Sequence, residues 1–361
     1  MANFDAAELA LKSVCPSNKL LYDDKEMPSI MVYIPRFRLC DVLSTDNTSP
    51  HPAFTINEEL QDGFYFGKFN ASDYNGRLYS LPGEDPANYK NHDTFVAHAR
   101  AKGAKFHEVT TAEWAAIALW CHKNGTEPKG NNNYGKDTSE SLYKAIPSMA
   151  RDSSNRIQRV ATGTGPATWS HDGTLDGIWD LNGNVWEWCT GLRLVNGEVQ
   201  ILPNNDAAAD NADLSASSAA WKAIKASDGT LVTPDGSGTT TGTVKLDWTG
   251  SIWTYDTTIS HATGSHGCAF KDLTCQTGIG DAAKLLLQSL AMLPDPDLTG
   301  DNIDATYGGD YFYADNSQEE RCLLRGGGWY DGSGAGVFNS ILHSGRTLAN
   351  GGLGGRLACR E

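Results

Sequence analysis

The stretch LLRGGGWYDGSGAGVFNSILHSGRTLANGGLGGRLACR, from Leu323 to Arg360, constrains this chain more than any other part of it. It divides into a frame and a filling. The frame is Arg325, Gly326, Gly327, Trp329, Ala335, Gly336, Val337, Phe338, Arg346, Gly354, Gly355, Arg356, Leu357 and Ala358. Gly326 and Gly327 permit close backbone approach or positive φ before Trp329. Arg346 and Arg356, set among apolar residues, are expected as halves of fixed bridges to carboxylates or carbonyls. The filling between these posts follows no helical or strand period. With 38 Gly and 10 Trp in 361 residues, the fold should be rich in turns and rigid aromatic packing rather than long helices.

A core of ordinary size is available, since 40% of residues are hydrophobic and 20% charged. The net charge of -15 and the absence of a Lys/Arg cluster argue against nucleic acid as a partner, because cations must replace the counterions of phosphate. No run approaches the apolar length of a membrane span, and the N-terminus shows no basic region ahead of an apolar one, so neither membrane insertion nor a signal peptide is expected. Eight Cys in a chain of this length do not make a disulfide scaffold. Cys268 and Cys275, the closest pair, lie too far apart for the usual zinc spacing.

Along the chain, Ser29–Leu39 reads as a strand with Pro35 at an edge or bulge, and Asp62–Ser72 as a second strand. Phe95, Val96 and Ala99 mark one helix face; Trp114, Ile117, Ala118 and Cys121 mark another. The second helix has a start signal in Thr110 and Glu113 and a stop at Asn124-Gly125. Leu181-Asn182-Gly183-Asn184 is turn chemistry leading into the strand Val185, Trp186, Glu187, Trp188, whose two indoles share one face and are expected in the core. Residues from about Asn204 to Thr243 read as an excursion from the core rather than a separate domain. Asp281–Pro294 reads as a capped helix ending at its proline.

GIWDLNGNVWEW, then LLRGGGWYDG, then GGLGGRLACR, in that order, form a compound signal. The chain resembles the formylglycine-generating-enzyme-like domains. MVYIPRF, HPAFTINEELQDGFYFGKF and AHARAKGAKFHEVTTAEWAAIALW are similar to that family's opening strand, second strand and following helix. The resemblance runs from about Ser29 to Arg360 and implies an α+β, loop-rich fold of C-type-lectin type. It divides the chain into an N-terminal arm, 1–28, and one domain, 29–361, with an insertion at about 194–319 and a variable region at about 326–356.

The family's catalytic members hold two metal-binding cysteines shortly before the arginine matched here by Arg346. Carried over, those positions fall at about Phe338 and His343, and neither is Cys. Cys322 and Cys359 flank the region without the family spacing and read as small buried hydrophobes. The resemblance therefore implies no catalytic residues and no cofactor, with a structural Ca²⁺ among the acidic turns as the one metal left open. An oxidoreductase with a displaced metal site is the alternative from the enzyme class; a fixed structural virion protein is another.

The filling has its own logic. Gly328, Tyr330, Asp331, Gly334, Asn339, Ile341, His343, Ser344, Gly345, Leu348, Asn350, Gly351 and Gly352 all belong to residue types encoded by codons ending in C or T. Lys, Glu, Gln and Met, which that class excludes, are absent from Leu323 to Arg360. Randomising the two adenines of Asn codons gives this outcome, and the stretch resembles the variable region of a diversity-generating retroelement target protein. That resemblance implies a ligand- or receptor-binding protein of a phage or prophage, present in the virion or the cytoplasm. Its partner would be a protein or glycan on a target cell, with homo-oligomer or virion assembly raising avidity. Tyr330 and His343 are the expected anchors, and the many Gly positions predict a shallow binding face.

Overall fold

Thr110 and Glu113 begin the helix Thr111–Asn124 by exchanging hydrogen bonds. The Thr110 hydroxyl accepts from the Glu113 backbone at 3.1 Å, and the Glu113 carboxylate accepts from the Thr110 backbone at 3.1 Å. Gly125 ends it at φ 64, in the left-handed region where glycine carries no Cβ penalty. Ten of its residues are buried, so the helix lies within the core rather than along a surface. The Trp114 ring packs on Phe66, while its indole N–H donates to the Val337 carbonyl at 2.8 Å. One side chain thus touches both of the sheets that organise the molecule.

The computed structural model describes residues 5–295 and 309–361. Residues 1–4 of the expected arm and 296–308 of the expected insertion lie outside the described residues. The smaller sheet has the order Asn18–Tyr22, Pro28–Pro35, Gly63–Gly67, Leu357–Arg360, Phe106–Glu108, antiparallel throughout. The strand Leu357–Arg360 is therefore interior, paired on both edges, and the final frame residues are fixed there. The larger sheet runs His266–Ala269, Tyr311–Ala314, Gly336–Ser344, Arg321–Gly326, Trp186–Val195, Glu198–Ile201, Lys245–Trp248, Trp253–Asp256, Thr274–Cys275, with short strands off this path. The class is α+β.

Three sequence expectations shift here. Asn18–Tyr22, placed in an arm, pairs along its whole length with Pro28–Pro35, so the boundary at residue 28 falls inside a hairpin. The helix expected over Asp281–Pro294 spans Asp281–Ser289, and Gly280 precedes it without a side-chain cap. Ala291 takes φ 50, and the carbonyls of Leu290 and Ala291 turn to the buried Arg325 guanidinium at 2.8 and 3.1 Å. A cation at a helix C-terminus satisfies those carbonyls and opposes the dipole, which ends the helix before its proline. The region expected as an insertion supplies eight described strands, seven of them within 198–275 together with Tyr311–Ala314, and all join the larger sheet.

Trp186 and Trp188 fall in one buried cluster with Leu324, Ile341 and Leu353, as the period-2 reading expects. Arg346 bridges to Glu320, with Nε 2.7 Å from Oε2, and to Asp93.

Candidate binding face

The strand Gly336–Ser344 sorts its residues by the pleat. Phe338 and Leu342 enter the main core, whereas Asn339, Ile341 and His343 line a concavity of about 670 Å³. Tyr311 and Tyr313 come from the strand running parallel beside it, in which Tyr313 is paired with Ile341. The turn after Trp329 adds Tyr330, Asp331, Ser333 and Gly334; the turn after the strand adds Leu348 and Asn350. Trp186, Leu324 and Leu353 supply further apolar lining from below. Tyr311 and Tyr313 add aromatic lining from outside the Gly-rich stretch.

Of the thirteen expected residues, nine line this concavity: Tyr330, Asp331, Gly334, Asn339, Ile341, His343, Ser344, Leu348 and Asn350. The other four lie around it. Gly328 is next to Trp186, Gly345 next to Arg321, Gly351 next to Tyr89, and Gly352 next to Asn350 and Trp329. Tyr311, Tyr313 and Ser333 line the site but escape a reading confined to the codon pattern. The alternation in Tyr-Phe-Tyr-Ala, 311–314, could have marked a strand; its parallel pairing with residues 340–342 is a long-range event that no local signal carries.

The polar groups of the site are unevenly partnered. Asp331 Oδ2 accepts from the Gly328 backbone at 2.6 Å, and burial pushes its carboxyl up to about 6. Asn339 Nδ2 donates to the Gly334 carbonyl at 2.5 Å, but its Oδ1 has no partner. His343 Nδ1 and Ser344 Oγ are likewise buried and unpartnered. Burial, then the nearby Arg321 charge, lowers the His343 pKa, which favours the neutral ring. Tyr313 meets that ring edge to face at 5.1 Å. Tyr330 stands 51% exposed with its ring edge-on to Trp329 at 5.4 Å.

Backbone geometry separates the glycines of the frame from those of the filling. Gly326 and Gly327 have φ 88 and 85, and a Cβ on Gly327 would lie 2.5 Å from that of Ala335. A Cβ on Gly336 would strike the Asp310 carboxylate; on Gly354 or Gly355 it would come within 2.5 or 2.6 Å of Val185 or Glu108. The five glycines among the thirteen positions behave otherwise, unlike Gly332, which lies between the same posts outside the thirteen and takes φ 61. Gly328, Gly334, Gly345, Gly351 and Gly352 all avoid the left-handed region, and no heavy atom lies within 3.1 Å of the Cβ each would gain. A Cβ fits without movement at Gly345 and Gly352, and at Gly328, Gly334 and Gly351 it asks a neighbouring side chain 3.1–3.3 Å away to yield slightly, whereas Gly327, Gly336, Gly354 and Gly355 face contacts of 2.1–2.6 Å.

The positions matched to the catalytic cysteines of the resembled family hold other chemistry. Phe338 is fully buried and stacks on Phe270 at 5.0 Å, while His343 faces the concavity. Burial pushes the thiols of Cys322 and Cys359 up to about 12, which disfavours the thiolate that metal binding or nucleophilic attack needs. Among the described residues, no three His, Cys, Asp or Glu side chains are grouped to hold a metal. What the site offers is aromatic surface, a carboxylate and unpartnered polar atoms.

No family model matches the sequence, and no curated protein matches it. Among solved structures, the chain is similar to Treponema denticola variable protein 1, at 14% identity over 96% of this chain and 100% of that one, with a TM-score of 0.33. It is similar to PvdO from Pseudomonas aeruginosa at 11% identity, 95% and 98% coverage and a TM-score of 0.33. The P3c variant of the Major Tropism Determinant is similar at 10% identity over 95% of this chain and 71% of that one, with a TM-score of 0.29. At such scores the architecture and the binding face rest on this chain's own strands and side chains.

Proposed function

We propose that the chain is a ligand- or receptor-binding protein whose concave C-terminal face is diversified by adenine-directed retroelement mutagenesis, as part of a phage or prophage tail. The observation that carries this reading is the separation of the glycines. A diversified position must tolerate many side chains without loss of the fold, and the five glycines among the thirteen positions lack the left-handed φ or the contacts under 2.7 Å that oppose a Cβ at the frame glycines, which supports this reading. Nine of the thirteen positions also converge on one concavity, where changes of side chain would alter recognition.

Binding without catalysis belongs to the same proposal. Phe338 and His343 stand where the resembled enzymes hold thiols, which favours a binder over a displaced oxidoreductase. The partner is then a protein or glycan on a target cell, met by a virion component.

The test is genetic. Sequencing the DNA that encodes the chain, with its flanks, should reveal a near-copy of the 3′ end carrying adenines at the thirteen codons, beside a reverse-transcriptase gene. Sibling copies with one unchanging sequence across Gly328–Gly352, and no near-copy, would overturn the proposal in favour of a fixed virion protein.

A further inference from the structure

We infer that the concavity in this copy receives a basic side chain, a guanidinium or ammonium group presented by a partner protein; this rests on the binding role proposed above. The argument begins with unpartnered polar atoms. Asn339 is 1% exposed and Ser344 2%, yet Asn339 Oδ1 and Ser344 Oγ have no hydrogen-bond partner. His343 Nδ1 is a third such atom on the same strand. Such atoms occur elsewhere in the fold, at Glu108 and Trp188 for instance, but these three belong to residues that line one concavity, where a ligand can bring the partner a buried polar atom ordinarily has. An amide oxygen accepts only, and the Asn339 amide nitrogen already donates to Gly334. The missing partner must therefore bring N–H or O–H donors.

Charge narrows the choice. Among the described lining residues, Asp331 is the one carboxylate, and neither Lys nor Arg is present. Arg321, the cation behind His343, is held by Asp315 at 3.1 Å. Tyr311, Tyr313, Tyr330 and Trp186 supply the apolar walls. A ring quadrupole attracts a cation, and a carboxylate beside such rings completes a site for a donor-rich positive group. An arginine side chain has the planar fork that serves several acceptors at once and is more weakly hydrated than an ammonium, so it enters such a site at lower desolvation cost. A neutral sugar would leave Asp331 without a charged partner. The net charge of -15 draws the same class of ligand at longer range.

The experiment is calorimetric titration of the intact chain with Nα-acetyl-L-arginine amide, its citrulline counterpart and a methyl glycoside. Citrulline keeps the shape and loses the charge. The arginine derivative should bind in the millimolar range, citrulline at least about tenfold more weakly, and Asp331→Asn should weaken arginine binding by a similar factor. Asn at 331 can still accept from Gly328, so the turn should survive that change. Equal affinity for arginine and citrulline would overturn the inference. So would binding of the glycoside alone, or no heat from the arginine derivative at tens of millimolar. None of these results touches the template repeat in the DNA, so failure here and failure of the diversified-binder reading are distinguishable.

Discussion

Arg356 and Glu187 meet in a two-pronged ion pair, with Nε to Oε2 at 2.8 Å and Nη2 to Oε1 at 2.7 Å, and both side chains are at most 1% exposed. Arg356 leads into the interior strand Leu357–Arg360 of the smaller sheet, and Glu187 belongs to the two-tryptophan strand of the larger one. The guanidinium also donates to the carbonyls of Gly67 and Asp180, each at 3.0 Å. One frame arginine thereby joins the two sheets, at a distance from the concavity.

Arg356→Met should destabilise the fold by about 3–5 kcal/mol, because Glu187 would be left as a buried carboxylate without its cation. Arg356→Lys should recover only part of this, since an ammonium cannot reproduce the two-pronged contact. Urea denaturation of the three proteins checks both statements. A loss below about 1 kcal/mol for the Met variant would mean that the pair does not hold the sheets together.

Much of this architecture was legible in local sequence, and the unread part has a common cause. The capping pair Thr110 and Glu113, the Gly125 stop and the alternating tryptophans depend on neighbours within a few residues, and each lies where the sequence places it. Arg346 and Arg356 were legible as halves of pairs, but their partners Glu320, Asp93 and Glu187 lie 26, 253 and 169 residues away. Tyr311 and Tyr313 reach the concavity through a parallel pairing. The early end of the helix at Ser289 depends on Arg325, which lies beyond any local window. Nine of the thirteen positions read from the codon pattern line the concavity, and Tyr311 and Tyr313 escape that reading because it is confined to Leu323–Arg360.

The glycine separation predicts opposite outcomes for one substitution at two sites. Gly327→Ala forces a left-handed φ and a contact of 2.5 Å with the Ala335 methyl. It should cost at least about 1–2 kcal/mol. Gly345→Ala meets nothing closer than Arg321 Nη1 at 3.6 Å. Its effect should stay within about 0.5 kcal/mol, or stabilise slightly by restricting the unfolded chain. Thermal melts of the pair decide the matter, and similar losses at both sites would remove the structural support for diversification.

Glu108 makes the fold sensitive to pH. Both of its carboxylate oxygens are buried without partners, and burial, followed by repulsion from Glu187 and Asp93, holds its carboxyl well above the ordinary 4.5. The folded chain keeps a proton there that the unfolded chain releases. This stabilisation is fully present below about 4.5 and is lost as pH rises through the folded value, at about 1.4 kcal/mol per pH unit. Glu108→Gln, neutral at every pH, should therefore gain on the parent chain as pH rises from about 5 to about 8. Melting curves at several pH values give the difference directly; a difference independent of pH would place the ionised carboxylate in the folded state.

Tyr330 is expected to matter for binding and little for stability. Its ring is 51% exposed, touches Trp329 edge-on, and takes a side-chain hydrogen bond from Trp186. Loss of one such aromatic contact costs about 0.5–1.5 kcal/mol, against about 3–5 kcal/mol for a core aromatic such as the fully buried Trp188. Tyr330→Ala should consequently melt close to the parent chain, and Trp188→Ala far below it. The same Tyr330 variant should bind the arginine derivative about tenfold more weakly, since one face of the cation's aromatic surroundings is gone. A Tyr330 variant that unfolds as readily as the Trp188 variant would assign the ring to the core. One that melts and binds like the parent would move recognition to the Tyr311 and Tyr313 wall, where the paired substitution to Ala could be measured in the same titration.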